Sequence, residues 1–405
     1  MNVLFFSPGF PAEMPQFVRG LAEVGAQVFG VGDQPAEALP DAAREGLADY
    51  QRVDSLWDES GLLATARAIA DRVGLDRIEC LWEPGMLLAA TVREKLGLPG
   101  LSLAQTVPFR DKGEMKRLLD AQGIRTPRHA RATTATECRN AAELIGFPLI
   151  LKPIAGAGSA DTHRVDDNSD LERVLPLIRH VPEVSVEEFI DGEEFTFDTI
   201  CADGRILYYN IAWYRPRPLI GRSIEWISPQ TVTLRDPDTA ELEDGRRMGR
   251  EVLDALGFRT GFTHMEWFRK SDGEVVFGEI GARPPGARSV DLMNYAGDID
   301  VFTGWAEAVC HRRLSQTLDR RYNAAVIFKR AQGQGRIQRI EGLESLLHRY
   351  GRHVVDVDLL PIGAHRRDWK QTLRSDGNVI VRHPDLGTTM EIADLFGVEL
   401  QMFAE

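Results

Sequence analysis

Two glutamates, Glu266 and Glu279, stand in apolar strand-like runs, GFTHMEWF (Gly261 to Phe268) and EVVFGEIG (Glu274 to Gly281). Asp272-Gly273 between the runs is a hairpin signal. Apolar and polar neighbours alternate, so both carboxylates can leave one sheet for one cleft. Side by side they repel each other unless a cation bridges them. Mg²⁺ suits such a pair, because it takes few carboxylates and fills its shell with phosphate oxygens and water. Two solvated glutamates on a surface hairpin fit the same spacing. A second feature is Lys152, at the end of FPLILKP, followed by Ala155-Gly156-Ala157-Gly158-Ser159. Glycines let backbone N–H groups close on an anion, and the lysine can pair with phosphate oxygens. No G-K-[ST] follows, so the loop is not a Walker A loop; a plain hairpin turn is the alternative. The third is VEEFIDGEEF (Val186 to Phe195), where a strand edge can read a base and a later acid can accept ribose hydroxyls. A charged hairpin reads the same way.

The elements that must position these residues alternate in type. NVLFFS (Asn2 to Ser7), QVFGVGD (Gln27 to Asp33) and RIECLW (Arg77 to Trp82) are expected strands. Helices are expected over Phe17 to Val24 and about Leu87 to Leu96. The pattern implies a Rossmann-like parallel sheet, although no G-x-G-x-x-G turn is present. The Gly/Pro-rich stretch Leu96 to Arg110 connects to a second domain. There DKGEMKRLLDAQGI is a helix, FPLILKP, VSVEEFI and EFTFDTICA are strands, and Glu241 to Leu256 is a helix. NAAVIFKR, GRIQRI and NVIVRH are strands of a last region from about Tyr322, with a helix near Gly342 to Tyr350.

The chain has 405 residues, enough for two or three domains. Its net charge of −13 gives no support to a nucleic-acid or anionic-membrane partner. Cys80, Cys138, Cys201 and Cys310 form no C-x-x-C pair, which fits reduced thiols in a cytoplasmic protein rather than a zinc site or disulfide framework. No apolar run reaches the roughly 20 residues of a membrane span.

Taken in order, Asp111-Lys112, Lys152 with its glycine loop, E-E-F-I-x-G-x-E, H-x-E and G-E-I-x-A-R resemble the ATP-grasp superfamily, in its carboxylate-amine ligase branch (L-amino acid ligase-like). The resemblance spans about Leu96 to Leu314. It implies an α/β chain: an ATP-grasp fold of two α+β lobes preceded by a Rossmann-like domain. The expected divisions are 1–105 for the Rossmann-like domain, 106–318 for the ATP-grasp domain (small lobe about 112–188) and 319–405 for an α+β subdomain. It also implies roles. Lys112 and Lys152 would contact ATP phosphates, and Gly156, Gly158 and Ser159 would belong to the loop that closes over them. Glu187, with the backbone of Glu188, Phe189 and Ile190, would read adenine; Glu194 would bind ribose. Glu266 and Glu279 would hold Mg²⁺ or Mn²⁺, and Arg283 would steady the acyl phosphate, making Arg283, Lys152 and Glu279 the catalytic set. One position departs from the family's E-x-N-x-R: Gly281 stands where an asparagine would complete a second metal site.

Substrate candidates are Arg288, which could instead form a salt bridge with Asp291; Glu83, which could hold an amino group or cap a helix; His264; and Arg215, with Arg217, in a loop whose simpler reading is solvated. The resemblance implies an ATP-dependent ligase that forms an amide or peptide bond through an acyl phosphate, with amino-acid substrates. Small carboxylates and amines would be its partners, and dimers are common among such proteins. A carboxylating or formyl-phosphate-forming enzyme is the rival within the fold. A nucleotide-binding module without turnover is the rival outside it.

Overall fold

The computed structural model describes residues 1–156, 161–370, 372 and 374–405. Its first strand, Asn2–Phe6, lies between Gln27–Gly32 and Arg77–Glu79 in a parallel four-stranded sheet, with Leu47–Arg52 at the edge. Strands buried on both faces read as continuous apolar runs, which is why these segments signalled themselves. Leu47–Arg52 did not: its polar side chains are mostly exposed. One face of this sheet is completed by a neighbour. Helix Met14–Glu23 packs on helix Val301–His311, and Phe17 meets Phe262, Phe302 and Trp305 edge-on at 6.4, 4.9 and 5.3 Å.

The small lobe is an antiparallel sheet in the order His129–Ala132, Val184–Glu188, Leu149–Pro153, His163–Val165, backed by helices Ala135–Ile145 and Asn168–Val174. The large lobe is a nine-stranded sheet that carries the Gly261–Arg269 and Val275–Gly281 hairpin at one edge. Gly273 turns this hairpin at φ +88°, a conformation that costs glycine little. Helix Glu243–Ala255 lies almost on the sheet. A Cβ at Gly249 would stand 2.3 Å from Phe197 Cδ1, and one at Gly245 would stand 2.3 Å from Trp267 Cη2.

The large sheet continues through Gln230–Thr233 into Asn323–Phe328 and Gly377–His383, so hydrogen bonding crosses the position where the third region was expected to begin. A three-stranded sheet and helix Leu386–Glu399 complete that region. Among the described residues no helix is long and apolar enough to cross a membrane.

Candidate active site

Three parts of the chain meet at one cleft, lined by Glu83 from the first domain, Lys112, Lys152 and Glu187 from the small lobe, and Glu194, Glu266, Glu279 and Arg283 from the large lobe. Local sequence explains each placement. Asp111 caps helix Lys112–Ala121 by accepting from Gly113 and Glu114 N–H, which sets Lys112 at the first helical position. Glu266 and Glu279 face each other as directly paired residues on neighbouring antiparallel strands. Lys152 is the penultimate residue of the small-lobe strand Leu149–Pro153, three residues before Ala155 of the glycine loop.

The charges interlock. Lys112 Nζ lies 3.1 Å from Glu279 Oε1 and donates to Gly156 O at 2.8 Å. Lys152 Nζ lies 3.0 Å from Glu187 Oε2 and 3.8 Å from Glu279 Oε2. Burial works against the Lys152 charge, but Glu187 and Glu279 outweigh it and raise its pKa. Burial alone would raise the Glu187 carboxyl; Lys116 and Lys152 instead hold it well below the usual range. Lys116, fully buried and 2.9 Å from Glu187, is pushed down to about 8 by that burial, against the pull of Glu187.

Around Glu266, Tyr214 Oη donates to Glu266 Oε1 at 3.2 Å, and His264 Nε2 lies 3.5 Å from the same oxygen. The other ring nitrogen of His264 is 2.6 Å from buried Asp198. Burial disfavours the imidazolium, yet Asp198 more than offsets it and the pKa rises to about 9. Glu194 is displaced upward by burial and by the Glu266 charge, while Glu266 is held low against its burial by His264 and Arg283. No three His, Cys, Asp or Glu side chains cluster for a metal among the described residues. A pair of carboxylates suits a cation whose other ligands are phosphate oxygens and water. Gly281 lies opposite His264 in register, and a Cβ there would only touch Arg283 at 3.4 Å.

The hinge offers its main chain. Glu188 N–H donates to Arg128 O and Phe189 N–H to Pro148 O. The Ile190 N–H has no such partner among the described residues. The Glu188 carboxylate turns to Arg125 at 3.1 Å, and the Phe189 ring lies between Arg164 and Arg217. Ala157, Gly158 and Ser159 of the expected phosphate loop lie outside the described residues.

The substrate candidates separate. Arg283 donates from Nε to Glu83 Oε2 at 2.9 Å, and Arg110 engages the other Glu83 oxygen. Both Glu83 oxygens are therefore committed to arginines. Burial would raise the Glu83 pKa, but Arg283 and Arg110 depress it. Arg288 pairs with Asp291 and Asp356, both at 2.8 Å, and does not line the cleft. Arg215 turns away to Asp394 and Gln230. Arg217, expected in a solvated loop, lines the cleft instead: it donates to Ile190 O at 2.7 Å, sits 3.4 Å from Glu194 and packs over Phe268. Lys116, Tyr214, Asp198 and Arg110 are further members that the sequence reading missed. Only Lys116 had a signal, its four-residue spacing from Lys112 on one helix face.

Comparison with known proteins matches two stretches of the chain. Residues 22–100 match the ATP-grasp N-terminal domain and residues 109–213 match the ATP-grasp domain. The chain is 28% identical over 238 residues to the L-arginine-specific L-amino acid ligase of Bacillus subtilis, covering 57% of each protein. It is 28% identical over 300 residues to alanine–anticapsin ligase of Bacillus subtilis strain 168, covering 66% of this chain and 62% of that one. The matched stretches therefore span little more than half the length of these curated relatives. The L-amino acid ligase structure from Bacillus licheniformis superposes with a TM-score of 0.81 at 20% identity, over 100% of this chain and 98% of that one.

Proposed function

The chain belongs to the ATP-grasp superfamily, and from that premise we propose that it is an ATP-dependent carboxylate–amine ligase acting on amino-acid substrates. The observation that carries the reading is the meeting of Lys112 and Lys152 with paired Glu266 and Glu279, beside an arginine held by Glu83. Phosphoryl transfer is mostly positioning and charge neutralisation, and this set supplies both. Apolar walls from Ile150, Ile190, Leu219 and Phe268 suit a planar base. The Ile190 N–H is the hinge donor, and the Glu194 carboxyl, beside Arg217 at 3.4 Å, is suited to hydrogen-bond ribose hydroxyls.

ATP would supply the γ-phosphoryl group and Mg²⁺ the positive charge that Glu266 and Glu279 are arranged to hold. A substrate carboxylate oxygen attacks γ-phosphorus while the bond to the β-phosphate oxygen breaks, releasing ADP and leaving an acyl phosphate. An amine then forms the C–N bond as the C–O bond to phosphate breaks, with one amine proton lost. Lys112 and Lys152 hold the phosphates. Arg283 holds the acyl phosphate, with Glu83 fixing its guanidinium. His264, whose pKa Asp198 raises, stands beside Glu266 Oε1 at 3.5 Å as a donor.

Phosphate release across a panel of carboxylates, with and without amines and with mass detection of products, tests the reading. Amide formation with ADP release is expected; stimulation by bicarbonate or formate alone would favour the carboxylase or formyl-phosphate rival. Glu279→Gln, which removes charge and keeps volume, is expected to lower turnover at least 100-fold with the fold retained. Turnover near the wild-type rate would remove Glu279 from the metal site.

A further inference from the structure

Behind Glu266 and Arg283 opens a second cavity of about 560 Å³, within the range of ligand pockets. It shares Glu83, Pro218, His264, Glu266 and Arg283 with the nucleotide cleft, so on the ligase reading an acid in it would lie beside the phosphate site. Its lining includes apolar side chains, Phe10, Met14, Trp82 and Phe328, and several prolines. Its lining also includes Arg222, Arg330 and Arg374, which lie outside the nucleotide cleft. Arg330 donates to the carbonyls of Gly221, Ile224 and Glu225 and to the Ser375 hydroxyl, and Arg222 to the carbonyl of Lys370. Neither has a carboxylate within ion-pair distance among the described residues. Of the acids near these arginines, Glu225 is held by Arg366 at 2.9 Å and Asp376 by the N–H groups of Ala331 and Arg367, while Glu13 also lines the cavity without an ion pair among the described residues. Arg374 is only 3.9 Å from Asp358, a loose pair. Burial pushes the Arg330 pKa down to about 10 and lowers that of Arg222.

A half-buried guanidinium that donates only to neutral oxygens and ion-pairs with no carboxylate has a poorly compensated charge, and its planar fork matches carboxylate or phosphate. We infer that this cavity takes a carboxylic acid bearing a second anionic group, carboxylate or phosphate, across an apolar spacer. The reacting carboxylate lies at Arg283, and the second anion lies at Arg222 and Arg330. The inference rests on the ligase reading above, and it narrows the substrate to a class.

The test uses the full chain with ATP and Mg²⁺ and compares three sets of acids: dicarboxylic amino acids such as glutamate and 2-aminoadipate, their side-chain amides, and O-phospho amino acids. Dianionic acids are expected to exceed their amides by at least tenfold in kcat/KM, mainly through KM. Whichever of the carboxylate and phosphate sets binds better identifies the second anion. In Arg222→Met that preference is expected to shrink at least tenfold. An equal loss for dianions and amides would assign Arg222 a structural role and overturn the inference, as would an equal preference in the wild type. Should no acid turn over, the ligase reading fails by itself. Calorimetric binding of the same acids with a non-hydrolysable ATP analogue and Mg²⁺ then still decides: tighter dianions support the cavity assignment, and equal affinities reject it.

Discussion

Glu83 sits 200 residues from Arg283 in sequence, yet its carboxylate fixes that guanidinium while also receiving Arg110. All three charges are nearly buried. Removing one partner of such a set leaves the others uncompensated, a loss of several kcal/mol. Glu83→Gln keeps the volume and one acceptor, so about 2–4 kcal/mol of destabilisation is expected in denaturant melts. The sign with pH follows from the depressed carboxyl. A group whose folded pKa lies below its ordinary value of 4.5 contributes stability that is present above that pH and lost as pH falls. The gap between wild type and Glu83→Gln is therefore expected to be full at pH 7 and to narrow below about pH 4.5. A gap independent of pH would show that Glu83 acts by shape alone.

At the scale of elements, the strand bearing Glu266 is held from behind by helix Glu243–Ala255, whose glycines let it approach Phe197 and Trp267. Gly249→Ala would gain up to about 1 kcal/mol of helix propensity. It would also force a methyl to 2.3 Å from a buried ring, overpacking that costs about 1–3 kcal/mol. A net fall in melting temperature is expected, together with reduced turnover as the Glu266 strand shifts. A more stable Gly249→Ala would mean that the helix has slack. The sequence made such strands legible through apolar alternation, and the motif order assembled Lys112, Lys152, Glu266 and Glu279 before any fold was known. Leu47–Arg52 escaped because an edge strand need not be apolar. Arg217 escaped because its burial comes from Phe189 and Phe268, contacts that no local pattern encodes. The pairing of Glu83 with Arg283 and the crossing of the large sheet into Asn323–Phe328 are likewise long-range facts.

Over the whole molecule, the first domain is not an appendage. Val3, Phe5 and Phe17 share one apolar core with Ile200, Phe262, Phe302 and Trp305 of the large lobe. Domains that share a core unfold together, so a single cooperative transition is expected. Phe17→Ala removes a fully buried ring from the centre of that core and is expected to cost about 3–5 kcal/mol. Two resolved transitions in the wild type would mean that the docking contributes little. On the ligase reading, the functional consequence separates the two proposed substrates. Lys112, Lys152 and the hinge belong to the small lobe, whereas Glu83 reaches Arg283 from the first domain. Loosened docking should therefore raise KM for the carboxylate several-fold while the affinity for ATP changes little. Initial rates with each substrate varied in turn, below the unfolding temperature of Phe17→Ala, measure this split. An equal rise in both constants would place the first domain's contribution in general stability and not in positioning Arg283.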